Sequence, residues 1–370
     1  MKTSISGGSG VTVMALLLLG TPARAQLEPT PDGTSLNLTF STFASGFAST
    51  SDTDGIGPFG IAFATDGSVL VVDNNDQTGS QALLYQLPAN LDNQTAGTPI
   101  QNYGDSFGPR GLAQVQANTG YNYYMANNST LVQIDGSGGK STGKVIATVA
   151  TLPSEAVGLA VFPGAVPSAN TGHIFVSSTP GNTIYNVNPI TGSVVPFASG
   201  LSAPDGMTFS PDGAFLYVAQ NGNNVIRVFT LANGSSIDIL PPGLESGKGG
   251  LDGLSIGMGT LVNNIYANFN DGTVWQYGLA GAAHPGWVEI ADGGSRGDFV
   301  TMDPGLPSGG GYPSLLLDQS DSIVRLDPPG GGFYSSESDY VPTPEPAAMA
   351  LLAMGGILAG IPAWRRWAKQ

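Results

Sequence analysis

The chain has 370 residues, is rich in glycine (54) and proline (27), and carries a formal net charge of −15 at pH 7. It contains no cysteine, which excludes disulfide bonds, and its only histidines, His173 and His284, argue against a histidine-rich zinc site or a Ser-His-Asp triad. The acidic surplus argues against binding to nucleic acid or to anionic lipid.

The first 25 residues are typical of a secretory signal peptide. Lys2 supplies the positive start, residues 11–20 form the apolar core, and Ala23 and Ala25 form a small-x-small cleavage site. A buried N-terminal helix is the alternative. Residues 26–34 are polar and contain proline, so we expect them to be a loose lead into the first strand.

A unit of three short strands joined by tight turns occupies residues 204–230. The pattern recurs with a period of about 45–50 residues, which is typical of propellers and solenoids. The first strands of the copies start at Gly60, Gly111, Gly158, Gly206 and Gly253, with a weaker sixth copy at Asp298. Six copies of a four-stranded unit predict an all-β fold, a six-bladed β-propeller over residues 35–333.

Closure of the ring is indicated by the fourth strands. Residues 35–47 and 193–201 share the ending Phe-Ala-Ser-Gly, and each precedes a first strand. No fourth strand follows Asp327 in the sixth copy. The N-terminal strand is therefore predicted to complete the sixth blade, which hides strand edges that would otherwise pair with other chains.

The residue just before the repeated glycine is predicted to face the central channel. Asp205, Asp252 and Asp298 then fall at one level in three adjacent blades. Carboxylate oxygens suit one Ca²⁺ or another divalent cation, so these three are candidate metal ligands. Alternatively, each accepts N–H bonds in its own turn or pairs with Arg110 or Arg296. The acidic turns at 73–76, 271–272 and 318–321 are interpreted as hairpin connections.

Residues 204–230 and 251–258 resemble the senescence-marker-protein and gluconolactonase family of six-bladed propellers, and share features with NHL-repeat propellers. The resemblance implies one divalent cation in the channel and hydrolysis of lactones or related esters. Asp252 matches a ligand aspartate of that family, and Asp205 takes the position of a ligand asparagine. The position of the ligand glutamate falls at Ile56, which cannot bind a metal.

The C-terminal end resembles the PEP-CTERM sorting signal, preceded by a linker at 334–343. The resemblance implies export by a Gram-negative bacterium, transient anchoring in the inner membrane, processing by an exosortase, and association with exopolysaccharide or the cell surface. A generic membrane anchor is the alternative. The sorting segment 344–370 comprises Pro344, Glu345 and Pro346, a predicted hydrophobic sorting helix that crosses the membrane at 347–363, and the basic residues Arg365 and Arg366.

Three functional hypotheses follow. The first is a non-catalytic surface or matrix protein that binds a ligand or packs among exopolysaccharides, which rests on the sorting signal and on Ile56. The second is a divalent-metal-dependent lactonase or esterase, in which Asp252 would serve as general base. The third is a purely structural propeller whose channel is sealed by Asp–Arg pairs.

Overall fold

The computed structural model describes residues 26–48, 57–64, 67–74, 82–88, 90–104, 108–117, 120–136, 141–163, 168–241, 249–303 and 313–329. The predicted signal peptide with Ala23 and Ala25, the Ile56 position, the linker and the whole sorting segment lie outside the described residues. No helix in these described ranges is both long enough and apolar enough to cross a membrane.

The described chain starts with β1 (Glu28–Pro29), the helix α1 (Pro31–Ser35) and β2 (Thr39–Ser45). Next come β3 (Pro58–Phe63), β4 (Val69–Asn74), β5 (Ala82–Leu87), β6 (Gln94–Thr95) and β7 (Gln101–Asn102). Four of these strands form the first blade, in the order β3-β4-β5-β7. The second blade contains β8 (Pro109–Ala117), β9 (Gly120–Asn127), β10 (Thr130–Ile134) and β11 (Val145–Thr151).

The third and fourth blades repeat the four-stranded order. The third consists of β12 (Leu159–Val161), β13 (Ile174–Ser178), β14 (Thr183–Val187) and β15 (Val194–Ser199). The fourth consists of β16 (Pro204–Phe209), β17 (Phe215–Gln220), β18 (Val225–Thr230) and β19 (Ser236–Ile239).

The fifth and sixth blades each gain a strand from elsewhere in the chain. The fifth consists of β20 (Leu251–Ile256), a 3₁₀ turn (Gly259–Leu261), β21 (Asn264–Phe269), β22 (Val274–Gly278) and β23 (Gly286–Asp292), with β1 at its edge. The sixth consists of β24 (Val300–Asp303), β25 (Ser314–Asp318) and β26 (Ser322–Asp327), followed outward by β2 and β6. The nearly all-β, six-bladed architecture predicted from the repeats is confirmed.

The apolar core is divided among the interfaces between neighbouring blades. Both faces of a second strand are buried: Tyr123 packs between the first and second blades, while Tyr124 packs between the second and third. Leu216 and Tyr217 repeat this arrangement on either face of the fourth blade. Because each blade is covered on both sides, its middle strands are apolar runs rather than alternating ones.

The predicted closure by the N-terminal strand is confirmed. β2 pairs antiparallel with β26, with Thr39 opposite Asp327 and Ser45 opposite Ser322. The prediction of a loose lead is wrong for the residues before this strand. Leu27 is buried between the fifth and sixth blades, and β1 pairs with β23. The polar residues around Leu27 suggest a loose segment, but the burial of the Leu27 side chain holds residues 27–29 against the fifth blade.

Candidate functional site

The first strands of the six blades line a central channel. β3, β8, β12, β16, β20 and β24 each contact the first strand of the next blade, and β24 contacts β3, so they form a closed ring. The turns between second and third strands lie at the same end of the blades as the starts of the first strands, because each hairpin is antiparallel. Side chains from both places therefore meet at one mouth of the channel.

The repeated glycine brings neighbouring first strands into close contact. A Cβ atom on Gly206 would lie 2.3 Å from the main-chain oxygen of Asp252, and one on Gly253 would lie 2.7 Å from that of Asp298. Real Cβ atoms do not approach so closely, so only glycine fits. The residue before each glycine is thereby held against the next blade, which is why aspartates from three blades come together.

Asp205, Asp252 and Asp298 are all buried at the channel mouth, with exposed fractions of 8%, 2% and 3%. The carboxyl groups of Asp252 and Asp298 are hydrogen-bonded to each other. The amide of Asn221 donates to Asp252 Oδ1. The hydroxyl of Thr179 donates to Asp205 Oδ2 at 3.4 Å.

Arg296 is the cation closest to these carboxyl groups. Its Nη2 lies 2.9 Å from Asp298 Oδ1 and 3.8 Å from Asp252 Oδ2. Its Nε donates to Asp298 Oδ1 and to Asn270 Oδ1, both at 3.0 Å. The side chain is 37% exposed, so it lies where the buried carboxyl groups meet solvent.

The environment favours the protonated form of these aspartates. The pKa of the Asp205 carboxyl is raised to about 8, first by burial and then by the charge of Asp298, while Arg110, Arg296 and Thr179 oppose the rise. Burial, followed by the charges of Asp205 and Asp298, raises the pKa of Asp252 well above its usual range. The pKa of Asp298 is also raised by burial, against the effect of Arg296. At neutral pH the cluster therefore keeps protons that exposed aspartates would lose.

A fourth buried carboxyl group, that of Asp318, supports the cluster from the end of β25. Its Oδ1 accepts hydrogen bonds from the main-chain N–H groups of Asp298 and Phe299 and from the amide of Asn268. Its pKa is raised by burial and by the charge of Asp298. The turn after Asp318 joins β25 to β26 as a hairpin, as the sequence predicts, and the Asp318 carboxyl group additionally reaches the N–H groups just before β24.

Apolar side chains from the first, third and sixth blades pack together beside the aspartates. Phe299 takes the glycine position of the sixth copy, and its ring centroid lies 4.8 Å from that of Phe59; the buried Val157 completes this apolar floor. Arg110 stands beside the floor with its guanidinium 5.9 Å from the Phe59 ring centroid, and its Nη2 forms a 2.6 Å ion pair with Glu155. The sequence left open a pairing of Arg110 with an aspartate, but its ion-pair partner is this glutamate.

Several buried polar atoms near the mouth, such as Asp318 Oδ2, have no hydrogen-bond partner among the described residues. Two of them are Asp205 Oδ1 and Arg110 Nε, which is a donor. The two side chains flank Val157 in the ring and are close enough for Arg110 to lower the pKa of Asp205. Buried polar groups are nearly always hydrogen-bonded, so these two atoms have capacity left for an ordered water molecule or a ligand.

The carboxyl groups as placed do not fit a divalent cation. Such an ion needs several oxygen atoms free to converge on it. Here N–H groups of Arg296 and Asn221 already point at the oxygens of Asp298 and Asp252. Within the described ranges, no group of three or more histidine, cysteine, aspartate or glutamate side chains could hold a metal ion. Asp205, Asp252 and Asp298 are brought together, but their role as metal ligands stays a prediction.

Similarity to known proteins is found at the level of structure. The chain aligns with a calcium-binding protein, regucalcin, from Agrobacterium tumefaciens at a TM-score of 0.52 and 16% identity, covering 79% of this chain and 95% of that one. The chain shares the regucalcin fold. Virginiamycin B lyase from Staphylococcus aureus aligns at a TM-score of 0.47 and 15% identity over 78% of this chain and 98% of that one. No family model and no curated protein sequence matches the chain.

The similarity to regucalcin supports the fold but not the chemistry, because the two sequences are only 16% identical and one propeller fold serves many functions. Sequence reasoning found the three aspartates through their place before the repeated glycine. It missed Asn221, Asn270 and Thr179, which come from the turns between second and third strands. Each of them is the first residue after a second strand, since β13 ends at Ser178, β17 at Gln220 and β21 at Phe269. That shared position in the repeat is the signal that could have found them.

Proposed function

We propose that this protein is a non-catalytic, ligand-binding propeller that acts at the cell surface or in the extracellular matrix. The observation that carries the proposal is the pair of buried, unpartnered atoms at the channel mouth, Asp205 Oδ1 and Arg110 Nε. The Arg110 Nε–H group donates, and the Asp205 carboxyl group accepts when ionised and can donate when protonated, so ligand hydroxyl groups, which both donate and accept, can satisfy the two.

The class of ligand follows from the surroundings of that pair. The apolar floor of Phe59, Val157 and Phe299 lies beside a polar wall of carboxyl, amide and guanidinium groups. A ring compound with hydroxyl groups at its edge matches a floor and wall of this kind. We therefore favour a hydroxyl-rich polysaccharide, or its end, as the ligand.

The predicted export of the protein supports the proposed location at the cell surface or in the matrix. The signal-peptide pattern at 1–25 and the PEP-CTERM resemblance at 344–370 predict secretion, processing by an exosortase, and release to the surface or matrix. The mass of the protein recovered outside the cells tests this route. We expect cleavage after Ala25 and loss of the segment from Pro344 onward; an intact chain retained inside the cells would contradict it.

The binding role is tested by retention of the purified protein on polysaccharide from the matrix of the producing cells. We expect the wild type to be retained and Asp205→Ala to be retained at least tenfold less. Asp238→Ala is the matched control, since Asp238 lies on the outer strand β19, away from the mouth, and pairs there with Arg227 of β18. Wild type that passes unretained, or Asp205→Ala retained as well as wild type, would contradict the proposal.

The metal-dependent lactonase hypothesis requires carboxylates that are free to coordinate a cation. The contacts of Arg296 and Asn221 with those carboxylates do not favour it, and it stays a prediction. Turnover of a lactone or ester by the wild type that is abolished in Asp252→Asn would support it.

A further inference from the structure

The charged residues of this chain are distributed unevenly around the ring. Residues 111–204, which make up nearly all of the second and third blades, are here called the neutral sector. They contain two acidic residues, Asp135 and Glu155, and two basic ones, Lys140 and Lys144, so their formal charge is zero. The rest of the chain therefore carries the whole net charge of −15. Copies of an acidic protein repel one another, and they repel least where they meet through neutral surfaces.

The two acidic residues of the neutral sector have partners within the chain. The carboxyl group of Glu155 forms its 2.6 Å ion pair with Arg110. The carboxyl group of Asp135 accepts hydrogen bonds from the hydroxyl groups of Ser141 and Thr142. No charged residue at all lies between positions 155 and 205, so the third blade has an uncharged surface.

Three large apolar side chains are exposed in the neutral sector. Ile146, Ile190 and Val195 have exposed fractions of 54%, 92% and 55%. Ile146 is the second residue of β11, Val195 is the second residue of β15, and Ile190 lies in the turn just before β15. Fourth strands begin at the end of a blade away from the mouth, because the strands alternate in direction. The three side chains therefore lie at the same end of two neighbouring blades and are here called the apolar patch.

The turn that carries Ile190 is held in a fixed position. Asn188 Oδ1 accepts hydrogen bonds from the N–H groups of Ile190 at 2.9 Å and Thr191 at 3.1 Å. A Cβ atom on Gly192 would lie 2.7 Å from the main-chain oxygen of Val149, so the turn rests against β11 of the second blade. Ile190 is thus presented to solvent by an ordered turn, and little further ordering is needed when it is covered.

The outer strands beside the patch are protected against pairing with a strand of another chain. Two bulges interrupt the register of β11 with β10, and bulges bend an edge strand away from further pairing. β15 contains Pro196, which has no N–H group to donate to a neighbouring strand. A partner at this place is therefore held by apolar side-chain packing rather than by a continued sheet.

We propose that the apolar patch is the interface of a symmetric dimer of this protein. A neutral surface with apolar side chains is complementary to itself, so a second copy related by a twofold axis covers Ile190 and Ile146 of both copies. Contact through the rest of the ring would bring acidic surfaces together. Because the patch lies away from the mouth, both mouths stay open in the dimer. This inference goes beyond the proposed function, since the dimer forms without any ligand.

Sedimentation velocity tests the proposal over protein concentrations up to about 100 μM, at which a dimer with a micromolar Kd is nearly complete. We expect wild type to form a reversible dimer. The dimer Kd should rise at least tenfold in Ile190→Glu and in Ile146→Glu, because each variant places two unpaired charges in the interface. Wild type that stays monomeric throughout, or Ile190→Glu that dimerises as well as wild type, would overturn the proposal.

Val262→Glu is the matched control for the added charge. Val262 is 49% exposed beside the 3₁₀ turn of the fifth blade, outside the neutral sector. The variant should dimerise as wild type does, and an equal loss in Val262→Glu and Ile190→Glu would overturn the assignment to the patch. Since Ile190 is almost fully exposed in its turn, we expect its variants to keep the fold, which a thermal melt checks.

A lysine variant and salt separate packing from charge. Ile190→Lys reduces the acidic surplus, so it would strengthen an association limited only by net repulsion, whereas we expect it to weaken the dimer as Ile190→Glu does. Raising NaCl from about 0.1 M to about 1 M shortens the screening length from about 10 Å to about 3 Å, and the wild-type dimer should become no weaker. A tighter dimer in Ile190→Lys, or dissociation at high salt, would overturn the proposal. Self-association is measured without polysaccharide, so a failure here is distinct from a failure of the proposed function.

Discussion

Arg325 and Asp303 form an ion pair from which water is excluded: Nη1 lies 2.6 Å from Oδ2, and the side chains are 0% and 1% exposed. The same guanidinium donates to Asp92 at 2.7 Å and to Asn90 at 2.6 Å, both in the chain that follows the third strand of the first blade. It also lies 4.8 Å from the ring of Phe43 in the closing strand. Arg325 therefore joins the sixth blade, the closing strand and the first blade.

Removing this guanidinium should destabilise the closed ring strongly. Arg325→Met leaves the carboxylates of Asp92 and Asp303 buried without their cation, and breaking such a pair typically costs about 3–5 kcal/mol. Urea denaturation measures the loss as a lower midpoint. Arg227→Met is the control, since its pair with Asp238 is 26% and 33% exposed and should contribute no more than about 1 kcal/mol. Equal midpoints for the two variants would show that the buried network does not stabilise closure.

Asp327, two residues further along β26, should make stability depend on pH. Its pKa is raised to about 6, first by burial and then by Asp92 and Asp303, against the effect of Arg325. The folded state then binds the proton more tightly than the unfolded state, so this contribution to stability is full below about pH 4 and lost as the pH rises to about 6.

Replacing Asp327 with asparagine should remove that loss. We expect the difference in unfolding free energy between Asp327→Asn and wild type to grow in favour of the variant between about pH 4 and 6, by up to about 3 kcal/mol. Urea denaturation at a series of pH values measures it. A difference that does not vary with pH would contradict the raised pKa.

Gly206 should not tolerate alanine. Its Cβ would lie 2.3 Å from the main-chain oxygen of Asp252, so the fourth and fifth blades would have to separate. Overpacking of this kind typically costs about 1–3 kcal/mol, and a backbone neighbour cannot move aside as a side chain does. Gly200→Ala is the comparison, because it meets nothing within 4 Å and suffers only from its positive φ. A melting temperature no lower for Gly206→Ala than for Gly200→Ala would contradict the close approach of the strands.

The number of blades and the order of their repeated strands could be predicted from sequence because the copies of the repeat carry turn residues and apolar runs. The buried role of Arg325 could not. Arg227 lies in the corresponding third strand of the fourth blade and pairs on the surface, whereas Arg325 lies inside. Both faces of a blade are packed, so alternation of apolar and polar residues does not reveal which charged side chain is buried or which distant residue it meets.

The positions of the three aspartates in the candidate site could be predicted from the repeat, but their partners could not. The repeated glycine fixes the level of Asp205, Asp252 and Asp298 in the ring, so their meeting follows from the repeat. Which partner they then meet depends on the connection before Asp298, from which Arg296 reaches the carboxyl group of Asp298.

The measurement that tests the proposed site most directly is the affinity of the wild type for soluble fragments of matrix polysaccharide, determined by calorimetry with EDTA and again with added CaCl₂. A mouth that binds hydroxyl groups through its own Asp205 and Arg110 predicts the same affinity in both buffers and at least a tenfold loss in Asp205→Ala. Binding that requires calcium, or that is unchanged in Asp205→Ala, would contradict it.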